Sequence, residues 1–282
     1  MIVVSITRKI LIILACILSS CITAQAEYPE IKSSLKDQVG DICLDDTILQ
    51  VYRLTTDWHN RDLYGNSVAH FFLSGKYTRG LGEGRVRWND VMIEMFSSTG
   101  QTASDTISQG WMEDFTYQSP YDIARPDFFE LFPMDESVHL LRTLIWDAVA
   151  FEVFAWSYFD KLELNIPFIP SDLDDFDVPM ADWGTFKMKN LKLAWTGLSQ
   201  RNGETCALIQ YESYANPVES GSSLMSVKGR SLYWGSIHVS LDDMQIEYAT
   251  MNEDIIMEVK NSTLPEKKRL NIQREVKFEK IN

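Results

Sequence analysis

Cysteine is scarce in this chain, and so are histidine, positive charge and long apolar runs. Of the four cysteines, Cys16 and Cys21 fall within the first 26 residues, which leaves Cys43 and Cys206. No CxxC, CxxCH or Cys/His cluster can be written from them, which removes support for zinc-ribbon, c-type haem and thioredoxin chemistry. The two remaining thiols either close one long loop as a disulfide or stay unlinked, and spacing alone does not choose. The four histidines (His59, His70, His139 and His238) show no ligand spacing, so no metal and no cofactor is expected. A GxSxG elbow, an HExxH pair and a Walker loop are all missing.

Basic residues are outnumbered, 26 Lys and Arg against 40 Asp and Glu. A net charge of −14 excludes the basic stripe that a nucleic-acid partner needs and disfavours adsorption to anionic headgroups. No apolar run approaches the roughly 20 residues of a membrane-spanning helix. The run from Ile10 to Leu18 is too short and belongs instead to a leader. Arg8 and Lys9 precede it and small residues follow, the layout of a signal segment over residues 1–26, or 1–20 with a cut before Cys21. Leu18-Ser19-Ser20-Cys21 reads as a lipobox that would lipid-anchor the chain at Cys21, and Ala24-Gln25-Ala26 as a site releasing it as a soluble molecule. Either cut makes the protein exported, to the periplasm or outer envelope.

What is present is patterning. Residues 27–282 read as a single β-rich domain. "TILQVYRLTTDW" (47–58), "SVAHFFLSGKYTRG" (67–80) and "RVRWNDVMIEMF" (85–96) are rich in β-branched and aromatic residues, with a glycine-rich turn at 80–84. Residues 135–162 predict one long helix, opened by Asp135 and Glu136. Between Leu144 and Phe159 only Asp147, Glu152 and Ser157 interrupt its apolar residues, so it must be enclosed, and two acids make it a poor membrane helix. Residues 186–281 read as an antiparallel meander with an Asn202-Gly203 hairpin. Its last strand alternates Leu270, Ile272, Val276 and Phe278 with Asn271, Gln273, Glu275, Lys277 and Glu279, one wet face and one buried. The expected fold is mainly β (α+β), a curved antiparallel sheet or half-barrel around helix 135–162.

An exported acidic chain with a lipobox, a long-stranded meander and one enclosed apolar helix resembles the LolA/LolB-like lipoprotein carriers of the bacterial envelope. That resemblance implies a half-barrel whose cavity holds acyl chains. "GRSLYWGSIHVSL" and "QIEYATMNEDIIMEVK" are in turn similar to an uncharacterised group of exported bacterial proteins.

Three functions are open on this reading. The first is binding of a hydrophobic small molecule or lipid in a cavity lined by Trp146, Phe154, Trp156, Trp195, Tyr211, Trp234 and Tyr248. The second is hydrolysis by buried acids or a histidine. Its polar candidates are Asp147 and Glu152, which point about 140° apart on a helix, and His238; Glu253 and Asp254 are half of a conceivable glycosidase pair. The third is a structural or partner-binding envelope role. The acidic loop Asp172, Asp174, Asp175 and Asp177 fails the EF-hand spacing, which leaves a solvated loop as the simpler reading.

Overall fold

The computed structural model describes residues 31–281 apart from 97–102, 124, 126, 134–137, 175, 180–184, 222–224 and 262–266. The signal segment, the anchor at Cys21, and Asp135, Glu136 and Asp175 therefore lie outside the described residues.

Residues Ser33–Asn282 form one unit built on a single antiparallel sheet. Its strands are β1 (Gln50–Asp62), β2 (Ser67–Arg79), β3 (Arg85–Phe96), β4 (Ala103–Ser108), β5 (Phe115–Gln118), β6 (Asp177–Pro179), β7 (Thr185–Lys187), β8 (Lys192–Arg201), β9 (Glu204–Gly221), β10 (Met225–Ser240), β11 (Ile246–Asn261) and β12 (Lys268–Lys280). The order is β4-β3-β2-β1-β12-β11-β10-β9-β7-β6, with β5 beside β3 and β8 beside β9. The sheet curves but does not close. The first long strand lies against the last, with Leu54 opposite Phe278 and Thr56 opposite Val276. That pairing joins an amino-terminal and a carboxy-terminal meander into one surface.

Strand parity makes the two faces different. Tyr52, Leu54, Thr56 and Trp58 of β1 point inward with Val276 and Phe278 of β12, Ala249 and Met251 of β11, and Ile237 and Val239 of β10, all buried. Position 274 of the same inward row is an arginine, and position 280 a lysine. Residues 186–198, where the expected meander begins, contribute to two strands and not one. Asn190, at φ 51°, breaks the run, so β8 pairs with the first half of β9 and β7 with its far end.

Against the inward face lies the long helix, Val138–Trp156. Leu141, Leu144, Ala148, Phe151, Phe154 and Ala155 are buried. Phe151 sits 5.6 Å from the Phe278 ring and Phe154 5.1 Å from Tyr211, centroid to centroid. The helix stops at Trp156, short of the expected Leu162. Tyr158 leaves helical geometry at φ −126° and ψ 8°, and Phe159–Lys161 make a separate turn. The bend puts the Tyr158 ring in the core while its hydroxyl donates to Asp172 Oδ2 at 2.8 Å.

The expected glycine turn is a true reversal, with positive φ at Gly80, Gly82, Glu83 and Gly84. At Gly80 the φ is +81° and a Cβ would fall 1.9 Å from the Ile48 carbonyl oxygen; at Gly65 the φ is +86° with open space around it. Gly65→Ala is expected to cost about 1 kcal/mol from backbone conformation alone. Gly80→Ala should cost about 2 kcal/mol or more, because backbone must also move. Urea unfolding of the two variants checks the difference.

Candidate functional site

Two carboxylates on an apolar helix have to be satisfied inside the protein, and the sheet supplies different partners for each. Arg274, from the inward row of β12, places Nη2 2.6 and 2.7 Å from the two oxygens of Asp147. Its Nη1 lies 3.4 Å from Glu253 Oε2 on β11, and the Ser231 hydroxyl donates to the other Glu253 oxygen at 2.5 Å. The Arg274 guanidinium also sits 5.1 Å from the Trp58 ring centroid. Burial pushes the Asp147 carboxyl up to about 6, against the pull of Arg274. Burial would lower Arg274, but the Asp147 and Glu253 charges raise it above its ordinary value, so it stays a cation.

Glu152, on another side of the helix, accepts from the Tyr77 hydroxyl at 2.7 Å and the Ser119 hydroxyl at 2.9 Å. Arg79 Nε is 3.5 Å away. Asp147 and Glu152 thus serve two separate networks and do not form a dyad. Strand parity likewise splits Glu253, which points inward, from Asp254, which points outward. A third buried cation, Lys280, contacts Glu247, with Asp243 at 3.9 Å and Glu204 at 4.0 Å. The Lys280 ammonium is shared among the three carboxylates of that acidic group and offsets one of their charges.

The seven aromatics expected around one cavity divide among three environments. Phe154, Trp195 and Tyr211 are buried core: the Trp195 indole donates to the Gly197 carbonyl at 2.7 Å and the Tyr211 hydroxyl to that of Thr250 at 2.8 Å. Trp146 and Trp156 are half-buried on the helix. The Trp156 indole donates to the Met244 carbonyl at 2.8 Å, beneath the Arg79 guanidinium at 4.1 Å. The Trp146 ring lies 6.0 Å from that of Phe129, and its buried indole N–H has no partner among the described residues. Trp234 and Tyr248 point to the outer face, Trp234 being 39% exposed. The Tyr248 ring carries Arg201 at 4.5 Å. Face parity, which single-strand spacing cannot convey across a sheet, is what separates them.

His238 is also on the outer face, with Nδ1 2.7 Å from the Ser199 hydroxyl. Burial, then the Arg201 charge, lowers it to about 4. So weak a base is poorly matched to activating a serine at neutral pH. Cys43 and Cys206 are unbridged, one exposed and one buried; burial pushes the Cys206 thiol up to about 12, which leaves it inert. In the acidic loop, Asp174 accepts from the Asn190 backbone at 3.1 Å, Asp172 from Tyr158, and Asp177 pairs with Lys187 at 3.3 Å. Each ties the loop to a different neighbour.

Two hollows stand out among the described residues, and no residue of the long helix lines either. One, of about 310 Å³, is an open groove across the outer face of β1, β12, β11 and β10, lined by Asp57, His59, Trp234, Asn252, Asp254 and Glu275 among others. The other, of about 120 Å³, lies beside Phe115 and Arg125. At the edge of the groove His59 and His70 stack on each other from β1 and β2, and one Asp57 oxygen contacts both. Sequence spacing could not reveal this cluster, since two of its members meet only through strand pairing. Arg274 did leave a signal: it interrupts the apolar row Leu270, Ile272, Val276 and Phe278.

Removing Asp147 alone, as Asp147→Ala, should destabilise the fold by about 3–5 kcal/mol by breaking a buried ion pair; Asp147→Leu with Arg274→Met and Glu253→Gln, which leaves no buried charge unpaired, should recover most of it. Urea unfolding of the single and triple variants measures both. For His238, a folded-state value below the ordinary 6.5 means that the unfolded chain binds more protons between about pH 6.5 and 4. Stability from this group is full above pH 6.5 and is lost as pH falls toward 4. His238→Gln should therefore show a smaller drop in urea midpoint between pH 7 and 4.5 than the parent.

No family model matches the chain, and no curated protein matches it. Among solved structures, a chain from a study of lipid–protein interactions in lipovitellin is similar at 11% identity and a TM-score of 0.37, over 83% of this chain. This chain spans 25% of the length of that one. None of these comparisons supports the expected likeness to the LolA/LolB-like carriers; what stands of it is a curved antiparallel sheet that does not close.

Proposed function

We propose that this protein is an exported binding protein of the bacterial envelope that takes a lipid-like ligand along the partly exposed side of its long helix. The observation that carries the reading is an apolar helix seated in an unclosed sheet with one stripe left incompletely covered. Along that stripe, residues three and four apart run through Arg142, Trp146, Ala150 and Val153, all half-buried, to exposed Ser157. An acyl chain laid there would remove apolar surface from water at about 25 cal/mol per Å².

The reading differs from an interior cavity. Phe151 and Phe154 fill the space between helix and sheet, so the ligand site is assigned to the rim. A hydrolytic role has less support, because the buried acids are held by Arg274 and Arg79 and His238 is a weak base. Export rests on the leader: Arg8, Lys9 and the run from Ile10 to Leu18.

Protein purified without detergent from the exporting cell should carry lipid in native mass spectrometry. After delipidation it should bind a fluorescent fatty acid, and Ala150→Glu or Val153→Asp should weaken that binding at least tenfold with an unchanged far-UV spectrum. A ligand-free protein that ignores the probe would end this reading.

A further inference from the structure

We propose that Asp57, His59 and His70 form a binding site for a divalent transition-metal ion, Zn²⁺ in the first instance, on the outer face of the sheet. The inference does not rest on the lipid reading and concerns the opposite face of the sheet.

The site is a consequence of strand geometry. Asp57 and His59 are two residues apart on β1 and so project from the same face. His70 is the direct cross-strand partner of His59 on β2. Side chains so related have their Cβ atoms about 4.5–5.5 Å apart, close enough for two imidazoles and a carboxylate to meet. They do meet. His70 Nε2 lies 2.7 Å and His59 Nε2 3.2 Å from the same oxygen, Asp57 Oδ1. One donor atom from each of the three residues falls within 4.8 Å of the other two.

Those separations suit a metal. Tetrahedral zinc with bonds of about 2.0–2.1 Å to nitrogen and oxygen holds its donor atoms roughly 3.3 Å apart. The observed 2.7 and 3.2 Å would open by about 0.6 and 0.1 Å. The donor set, two imidazoles and a carboxylate, is one that first-row divalent ions favour over Mg²⁺ or Ca²⁺.

The rings must turn to bind. His59 and His70 stack at 4.0 Å between centroids and 16° between planes, and Phe96 stacks on the other side of His70 at 4.3 Å. An ion lies in the plane of each imidazole that holds it, so binding by both rotates at least one ring out of the stack. All three ligands are half-buried, so an ion can enter from solvent. Asp57 and His59 border the outer groove, where Gln273 and Glu275 of β12 are the cross-strand neighbours of His59 and Asp57. Three protein ligands leave a tetrahedral ion one position for water or for a donor brought into that groove. The Glu204, Asp243 and Glu247 group is a different case, because the Lys280 ammonium is already shared among its carboxylates.

The test is titration of the untagged, chelator-treated full chain with ZnCl₂ by calorimetry, and with CoCl₂ by visible absorption. One ion per chain is expected, with a rise in thermal midpoint on adding Zn²⁺. His59→Gln and His70→Gln should each weaken binding at least about tenfold, since loss of a ligand should cost no less than loss of a supporting contact. His238→Gln should bind as the parent does. Absence of stoichiometric binding would overturn the proposal, as would binding that survives His59→Gln/His70→Gln. If that double variant fails to fold, Zn²⁺-induced shifts of the imidazole nitrogens in parent protein decide: no shift at His59 and His70 refutes the site.

Discussion

A carboxylate on an apolar helix and a guanidinium on the apolar face of a sheet have no good place to be except against each other. Asp147 and Arg274 satisfy that constraint with contacts of 2.6 and 2.7 Å, and the surrounding structure follows from it. An apolar helix in an apolar trough could rotate or slide with little change in buried area. A buried ion pair has one acceptable geometry, because any displacement strands two charges where water cannot reach them. With Asp147 fixed on β12, Glu152 falls beside Tyr77, Ser119 and Arg79, and Phe151 and Phe154 fall against Phe278 and Tyr211. Buried ion pairs add little net stability against apolar substitutes of the same shape. What this one supplies is the position of the helix.

The two faces of the sheet then do different things. The inward face is filled by aromatic rings and three buried cations, Arg79, Arg274 and Lys280, each set beside carboxylates. The outward face carries the accessible polar chemistry: the groove beside Trp234, the stacked histidines with Asp57, and the Ser199–His238 contact. Alternation along a strand sends neighbouring side chains to opposite faces, so the Glu253 carboxylate joins the core network while Asp254 faces outward. Occupants of the two faces would be sensed by different residues. An ion at His59 and His70 meets no residue of the long helix directly, whereas an acyl chain at Val153 rests on the helix that Asp147 holds.

Much of the fold was legible in local pattern. The glycine turn at 80–84, the Asn202-Gly203 reversal, the enclosed helix and the alternation of β12 each follow from a rule acting over a few residues. The β7–β8 break was not legible, because Asn190 looks like any polar strand residue until β9 offers two separate lengths of edge. The lateral pairing of β1 with β12 was not legible either, for no local rule joins strands more than 200 residues apart. The helix boundary at Trp156 depended on Tyr158 finding Asp172 across a loop.

The sequence by itself determined an acidic, mainly antiparallel β chain with one helix too apolar to stand in water, and it set which residues alternate along each strand. Only the tertiary structure decided which strands lie side by side, and therefore which side chains meet. Asp147 meets Arg274 across 127 positions and His59 meets His70 because β2 folds back on β1. Local periodicity fixes the face on which a side chain projects. Its partner is fixed by pairing between strands, and that depends on the burial of the whole sheet.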